Sequence, residues 1–529
     1  MDSFVDDVSH CSPSVTLAVD TSVKLHVEGA KNDNVFNQDK TKRICNDEEM
    51  KNQHPEITFV DAAKDLGTPI GSRDGIIRLT NESFKSNWEE LEKFQAIFAQ
   101  RAQTEPNCGV QTYIKTLSDN WVPKNDWIAM TVSREICIGG LQEFHQYLVK
   151  LALKALCVDE THLDQRARDM FALQIKLPKK SGGFGIYNAA DFVDAHRLST
   201  LMAALPLAST RLTSKVIFPE LEQVMQRILE LRELPDIIKN QLEIVSRVNN
   251  RDESAEVVLA SEIRGLPQRI KKHINFLLLQ DFKAMCNLDD PTMAEIVRSI
   301  TTPEAGLYLN ADPREKSFQI KDDCFVLHSK RRLQLNVISR PDMKCKSCDK
   351  PVDCKVEHTF CCVHVGKNSV HAPIVKTAAL HIREVLGDTS VVAYEVLLTP
   401  NENCTKLDPR TDIKITNIVS GVCQLVDFIF PTITEDATDS NTTVMMAEAY
   451  KYYGDNYVLD AEKVVPGAID TYGRWGEELK KLVKQVARFG SYNEREYSRV
   501  VNDLRTTIAI THVIAIGRQM SVFLGRHLY

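Results

Sequence analysis

The sequence predicts a multidomain α+β protein, and three observations lead to this fold class. The chain has 529 residues, more than one hydrophobic core usually supports, so two to four domains are expected. Apolar residues recur at helical spacing through 83–156 and 215–300. After residue 340 the pattern changes to a Cys/His cluster, followed by short β-branched segments that carry single carboxylates.

Composition limits the class of protein. Hydrophobic residues make up 43% and charged residues 26%, with a formal net charge of -7, as in soluble globular proteins. Nucleic-acid binding is still compatible with this charge, because local basic clusters occur at 40–43, 179–180, 269–272 and 330–332. We expect no membrane span, no secretion and a location in the nucleus or cytoplasm, because no unbroken apolar run of about 18 residues and no basic leader is present. The 14 cysteines are then expected to be reduced.

The first two hundred residues contain short motifs separated by helical segments. Phe4-Val5-Asp6-Asp7 places paired carboxylates after two hydrophobes, a pattern that can hold Mg²⁺ at a hairpin tip or form an exposed acidic end. The segment 66–71 has turn chemistry, and 177–186 is a Gly-rich turn that lacks the GxxxxGK[ST] pattern of a phosphate loop. A helix is predicted over 189–204, ended by Pro206.

The middle of the chain is predicted to be helical. Leu221, Val224, Met225, Ile228 and Leu231 form one apolar stripe that ends before Pro235, and Ile270, Ile274, Leu277 and Leu278 form a second. Stripes of this kind are usually core-facing. We expect linkers at 46–56, 205–216, 249–256 and 431–442.

A zinc knuckle is predicted from Cys345, Cys348, His358 and Cys362, which follow the pattern C-x2-C-x9-H-x3-C. Structural zinc takes four Cys or His ligands, usually as two closely spaced pairs, and leaves no position for a reactive water. Cys354, Cys361 and His364 lie nearby, so the ligand set could shift by one. The alternative is a cysteine-rich loop with free thiols.

The acidic segments that follow predict a helix, three strands, a helix and a strand. The first helix is opened by Pro373. The strands carry Glu395 within 391–398, Asp412 at the start of 411–415, and Asp427 in the middle of 422–430. The second helix carries Met446, Glu448 and Lys451, and Val464-Val465-Pro466 forms the last strand.

The carboxylates suit metal-dependent phosphodiester cleavage. Two carboxylates on adjacent strands can hold Mg²⁺, which activates water, and a nearby lysine can stabilise the transition state. Asp427 is the strongest single signal, because a lone carboxylate inside an apolar run is costly to bury unless it is paired or metal-bound. In the alternative, Asp412 caps a turn and Asp427 pairs with a buried basic residue.

Taken in order, these motifs resemble the C-terminal part of a non-LTR retrotransposon polyprotein with a restriction-like endonuclease. Asp6 and Asp7 look like the (Y/F)xDD metal site of a reverse transcriptase palm. Three later segments are similar to its N-x-x-K-T motif, its LGxPIG primer grip and its LPxxxGGLG turn: 36–42, 66–71 and 177–185, the last with Phe184 in place of leucine. The resemblance covers nearly the whole chain.

In the nuclease, the resemblance assigns roles by matching positions. The family's arginine-proline-aspartate corresponds to Arg410-Thr411-Asp412, and its tryptophan-aspartate strand to Val426-Asp427. Lys451-Tyr452 matches the lysine-tyrosine pair on the next helix. Asp412 and Asp427 are then expected to bind catalytic Mg²⁺, Lys451 to stabilise charge, and Glu395 to serve as a third ligand or base.

Other matches in the nuclease are weaker, and some positions depart from the family's pattern. The FVP…ETxG stretch of the family is similar to 464–473, and of its Arg-His-Asn only His371 remains. Thr411 replaces the proline before the first aspartate, and Ile429 replaces the threonine two after the second.

The resemblance implies an order of parts. These are a partial palm at 1–75, a thumb-like helical domain at 76–204, a helical linker at 205–340, the zinc knuckle at 341–370, the αβββαβ nuclease at 371–490 and a helical segment at 491–529. A complete palm needs a further aspartate upstream of Asp6, so we expect no DNA synthesis by this chain alone.

The expected activity is Mg²⁺-dependent nicking of target DNA, with element RNA as a second partner. The alternatives are a decayed retroelement protein that still binds nucleic acid and a zinc-stabilised scaffold.

Overall fold

A computed structural model describes part of the chain, and the structural statements below refer to that part. The described residues are 60, 62–65, 68–104, 109–211, 219–250, 261–338, 343–362, 368–397, 410–417, 423–433 and 464–528. Asp6, Asp7, the 36–42 motif and Lys451 lie outside them.

The described chain is mainly helical up to the Cys/His cluster. The first helices are α1 (Arg73–Thr104), α2 (Val110–Thr116), α3 (Val122–Thr131), α4 (Arg134–Ala155), α5 (Gln165–Lys176), α6 (Val193–Arg211), α7 (Pro219–Leu229) and α8 (Asp236–Asn249). They are followed by α9 (Ser261–Arg264), α10 (Leu266–Met285), α11 (Pro291–Ile300) and α12 (Asp322–Arg332). The remaining helices are α13 (His358–Cys361), α14 (Asn368–Leu386), α15 (Glu477–Phe489) and α16 (Glu494–Leu528).

Two sheets are present among the described residues. A hairpin pairs β1 (Ala62–Asp65) with β2 (Thr68–Gly71). A four-stranded sheet has the order β3 (Ser390–Leu397), β4 (Arg410–Asn417), β5 (Cys423–Ile429) and β6 (Val464–Ala468). β3, β4 and β5 form an antiparallel meander, whereas β6 runs parallel to β5. A parallel pair requires a crossover connection, and the predicted helix with Lys451 lies in that interval, outside the described residues.

The chain divides into two compact units. The first comprises Met1–Gln95, Pro123–Gln146 and Asn188–His273, and the second comprises Ala96–Val122, Tyr147–Tyr187 and Ile274–Tyr529. In the first unit, Phe84, Cys137, Leu141 and Val193 belong to a buried core. Asp194 ties this unit together, because its carboxylate accepts hydrogen bonds from Arg134 and Arg227, each at 2.8 Å.

The second unit has a core that includes both the Cys/His cluster and the four-stranded sheet. Its buried members from the cluster are Cys345, Val352, Val356, Phe360 and Cys362. The same core contains residues of α14, the sheet, α15 and α16: Ile374, Ile382, Ile413, Val426, Val465, Leu482, Ile508, Ile516 and Phe523. The Cys/His segment therefore folds onto the sheet domain instead of forming a separate small module.

Three local predictions were wrong, and packing or strand pairing accounts for each. The helix predicted to end before Pro206 continues to Arg211, and Leu198, Leu201 and Leu205 bury its apolar face. α14 begins at Asn368, so Pro373 lies inside it instead of opening it, with Val370 already in the core. Residues 68–71, in the segment predicted to be a turn, form the strand β2 and pair with β1.

One helix in the described part is long and apolar enough to cross a membrane. It covers Glu494–Gly525, and 61% of its most apolar stretch is buried inside the protein. The sequence shows no unbroken apolar run there because Thr, His and Gly residues interrupt it.

Arg331 is a fully buried cation in the second unit. It forms a bidentate pair with Glu357 at 2.7 and 2.6 Å. It also donates to the carbonyl and hydroxyl oxygens of Thr471, and its guanidinium lies 3.6 Å from the centre of the Tyr472 ring. The phenol of Tyr472 donates to Glu357 at 2.6 Å. One side chain thus connects α12, the Cys/His segment and the loop after β6.

Replacing Arg331 with methionine should destabilise the fold strongly. Glu357 would lose its buried counter-ion, a change that typically costs about 3–5 kcal/mol. Chemical denaturation with circular dichroism measures the free energy of unfolding. Arg314→Met is the control, because Arg314 forms its ion pair with Asp312 at 88% side-chain exposure, and exposed pairs contribute little. Equal losses in both variants would contradict a special role for Arg331.

Stability should also fall in mild acid because of two buried histidines. Burial and the charge of Arg331 lower the pKa of His512 to about 3, and burial lowers the pKa of His328 well below its usual range. An unfolded histidine has a pKa of about 6.5, so between these values only the unfolded state binds the proton.

Each of these histidines should therefore cost stability as pH falls from about 6.5 towards 3, by up to about 1.4 kcal/mol per pH unit. His512→Gln should show a shallower decline than the unchanged protein between pH 6.5 and 4.5 in thermal melts. Loss of zinc ligands to acid affects both proteins alike, so the difference in slope reports His512. Identical slopes would contradict the assignment.

Candidate metal centres

The Cys/His segment begins with a tight, hydrogen-bonded turn. Lys344 and Pro351 form a β-bridge, and the amide of Cys345 donates to the carbonyl of Lys350 at 2.9 Å. Asp349, with φ of 57°, reverses the chain so that its amide donates to the carbonyl of Cys345 at 2.8 Å. Cys345 and Cys348 are therefore presented from one turn, as the C-x2-C spacing predicts.

The second ligand pair comes from the short helix α13. Asp353 accepts hydrogen bonds from the amides of Lys355 and His358, at 2.8 and 3.1 Å, and this fixes the start of the helix. The amide of Cys362 donates to the carbonyl of His358 at 2.9 Å, so the H-x3-C pair lies on one helical turn.

The four predicted ligands meet. Their ligand atoms all lie within 4.8 Å of one another. The sulfurs of Cys345 and Cys362 are 3.8 Å apart, as are those of Cys348 and Cys362. Zn–S bonds of about 2.3 Å at tetrahedral angles place two sulfurs about 3.8 Å apart, so the geometry fits zinc. A disulfide needs a separation of about 2.05 Å, which these distances exclude.

The two thiols of the C-x2-C pair differ in pKa: the Lys350 amide lowers that of Cys348, but desolvation and the Cys345 and Cys362 sulfurs raise it overall. Burial raises the pKa of Cys345, but hydrogen bonds from the amides of Ser347 and Cys348 and from His358 lower it to about 6. The thiolate is the form that binds zinc. The cluster can therefore hold a metal such as zinc, and Cys345 and Cys362 are both buried.

The nearby alternative ligands do not join the cluster among the described residues. Cys354 lies outside it, and its carbonyl accepts hydrogen bonds from Val337 and Ile338. The side chain of Cys361 and all of His364 lie outside the described part. The four residues that meet among the described ones are those of the predicted set.

The sheet places the predicted carboxylates in one row. The β4–β5 register pairs Ile413 with Val426, so Asp412 stands opposite Asp427. The β3–β4 register pairs Tyr394 with Ile413 and Val396 with Thr411, which puts Glu395 opposite Asp412. Opposite residues on antiparallel strands have Cβ atoms about 5 Å apart.

Asp412 is the best-anchored of the three carboxylates. Its Oδ2 accepts hydrogen bonds from the Phe428 amide at 2.5 Å and from Nε2 of His371 at 3.0 Å. Burial raises its pKa, but the hydrogen bond and charge of His371, together with Asp427 and the Phe428 amide, lower it overall. Asp427 is 6% exposed and interacts with Asp412.

Glu395 is less well placed. Its backbone φ of 51° departs from strand geometry, and its side chain is exposed. Among the described residues, only the Cys/His cluster brings three or more ligand atoms within 4.8 Å of one another. The three acids lie side by side on adjacent strands, and Asp412 and Asp427 are the pair that interacts.

Thr411 has a structural role. It occupies the position that is proline in the retroelement nucleases that the sequence resembles. Its buried hydroxyl donates to the carbonyl of Val426 at 2.9 Å, directly before Asp427. This bond ties β4 to β5 beside the two aspartates. Ile429 contributes a backbone carbonyl that accepts from the Ile469 amide at 3.0 Å.

Two residues near the acids were not among the predicted site residues. His371 contacts Asp412 and lies 5.8 Å, ring to ring, from Phe430. Its signal in the sequence was its place in the family's Arg-His-Asn segment. Lys414 lies two residues after Asp412 on β4, hence on the same side of the strand. The Asp-x-Lys spacing was its signal.

Comparisons with known proteins found no matching family model and no matching curated protein.

Zinc content should depend on Cys345 but not on Cys354. Cys345→Ser removes one of four ligands, and we expect zinc to fall from about one ion per chain to near none. Inductively coupled plasma mass spectrometry on purified protein measures the metal. Cys354→Ser is the matched control, a cysteine nine residues later that lies outside the cluster. Unchanged zinc in Cys345→Ser would overturn the site.

Proposed function

We propose that the sheet of the second unit is a restriction-like nuclease that nicks DNA with Mg²⁺, within part of a non-LTR retroelement protein. The observation that carries the proposal is the pairing of Asp412 with Asp427 across β4 and β5. Both are predicted metal ligands, and Asp427 is buried and interacts with Asp412. The helix, three strands and later parallel strand have the order expected of this nuclease.

The chemistry follows from what the side chains can hold. Asp412 and Asp427 offer oxygen ligands, which Mg²⁺ prefers. When bound, Mg²⁺ would activate a water and stabilise the leaving oxygen of the phosphodiester. His371 donates from Nε2 to Oδ2 of Asp412 and so orients this carboxylate. Glu395, opposite Asp412, remains the weaker third ligand or base.

A cation is needed to stabilise the phosphate in the transition state. Lys451 is the residue that the resemblance assigns to this role. Lys414 is an additional candidate, because it shares a side of β4 with Asp412.

The rest of the proposal depends on the resemblance alone. The resemblance supplies the partial palm with Asp6 and Asp7, the thumb-like helices, the helical linker and the RNA partner. DNA synthesis is not part of the proposal. The Cys/His cluster would then act as a structural zinc knuckle beside the nuclease.

A second candidate function is binding of nucleic acid without cleavage. Oδ2 of Asp412 already accepts two hydrogen bonds, from His371 and Phe428, so this oxygen is satisfied without a metal. A decayed retroelement protein would keep the fold, the knuckle and its basic residues.

Plasmid nicking should separate the two functions. With Mg²⁺, the unchanged protein should convert supercoiled plasmid to open circles, and Asp412→Asn and Asp427→Asn should each slow this by about 100-fold or more, because a catalytic metal supplies several kcal/mol. Asp388→Asn, an exposed aspartate in the same unit, is the control. Lys414→Gln and Lys451→Gln in the same assay identify the cation.

Binding and stability are measured in parallel. If the unchanged protein does not nick, and all variants retain plasmid with the same salt dependence, the nuclease proposal fails and the binding function stands. Melting temperatures of the aspartate variants show whether a loss of nicking reflects a loss of fold.

A further inference from the structure

We propose that the turn between α15 and α16 is a stacking platform for single-stranded nucleic acid, formed by Phe489 and Tyr492. The inference goes beyond the proposed cleavage, because it involves neither Asp412 nor Asp427. It assigns a binding surface to a segment for which the sequence carried no motif.

The two aromatic side chains are unusually exposed. Phe489 is 71% exposed and Tyr492 is 97% exposed, whereas the other exposed large hydrophobics of the described residues do not exceed 59%. They lie three residues apart in one turn. Such rings have no buried role in this unit, and their apolar surface is open to a partner.

Local contacts hold the backbone of the turn that carries the two rings. Gly490 packs so closely on α14 that a Cβ would lie 2.4 Å from a methyl of Val385. Asn493 accepts from the Glu496 amide at 2.9 Å, and Glu496 accepts from the Tyr492 amide at 2.9 Å. This reciprocal cap fixes the start of α16 next to Tyr492. A preformed surface loses less conformational entropy on binding.

The charges around the turn identify the partner. Four exposed cations flank it, Lys484, Arg488, Arg495 and Arg499, against the two carboxylates of Glu494 and Glu496. Glu496 caps the helix and forms an ion pair with Arg499 at 3.9 Å, so Lys484, Arg488 and Arg495 stand against Glu494. Aromatic rings among cations suit a strand whose bases can stack and whose phosphates are anionic.

A single strand fits better than a duplex. Base faces are free in a single strand, whereas neighbouring base pairs cover them in a duplex. Stacking on an aromatic side chain is tolerant of sequence, because every base has a π-face. A platform of this kind therefore predicts little preference among bases.

The test is binding of a fluorescent 20-nucleotide oligo-dT to the full chain, without added Mg²⁺, so that cleavage does not interfere. Removing both rings in Phe489→Ala/Tyr492→Ala should weaken binding by about tenfold or more, because alanine substitution at a stacking residue commonly has such an effect. Phe489→Trp and Tyr492→Phe, which keep a ring, should bind normally. Phe276→Ala, which removes another exposed ring, is the control.

Cross-linking tests direct contact between the rings and the strand, which a purely structural role of these residues would not produce. With 5-iodouracil in the strand, irradiation should attach it to Phe489 or Tyr492, identified by mass spectrometry. Three results would overturn the proposal. The double variant could bind oligo-dT with unchanged affinity, it could lose as much affinity for a duplex of the same length, or the protein could bind anionic vesicles in place of the oligonucleotide. Oligo-dT binding is measured without Mg²⁺ and plasmid nicking with Mg²⁺, so failure of stacking and failure of nicking are distinguishable.

Discussion

The buried guanidinium of Arg331 is the interaction on which the second unit depends. A charge in the interior is stable only when its hydrogen bonds are satisfied, and Arg331 meets this condition with Glu357, Thr471 and the ring of Tyr472. Its partners come from the Cys/His segment and from the loop after β6. The donors of a guanidinium have fixed directions, so they restrict the relative positions of the Cys/His segment and this loop more than apolar contacts can.

This arrangement explains why the metal cluster and the sheet share one core. Cys345 and Cys362 are buried among the same residues as Ile413 and Val426. Free energy gained by metal binding at the cluster is therefore available to the sheet domain, because ligand binding to the folded state alone stabilises the whole cooperative unit. The candidate acids lie on that sheet, so the cluster supports them without touching them.

The contacts around Asp427 centre on a second carboxylate, that of Asp412. A buried carboxylate needs a partner, and a metal or a buried basic residue were the two expected ones. The structure places a second carboxylate, Asp412, beside it, and Asp412 accepts a hydrogen bond from His371. Burial raises the pKa of Asp412, but His371 and Asp427 together lower it overall.

The sequence by itself determined what depends on local spacing. The ligand pairs of the Cys/His cluster, the three acid-bearing strands and the apolar helix stripes were all readable, because turns, helices and strands impose short periods on the chain. Tertiary structure alone decided which distant residues meet: the register that sets Asp412 against Asp427, the contact of His371 with Asp412, and the burial of Arg331. Two helices also continue past Pro206 and Pro373. Burial of an apolar helix face outweighs the free-energy cost of a proline inside the helix.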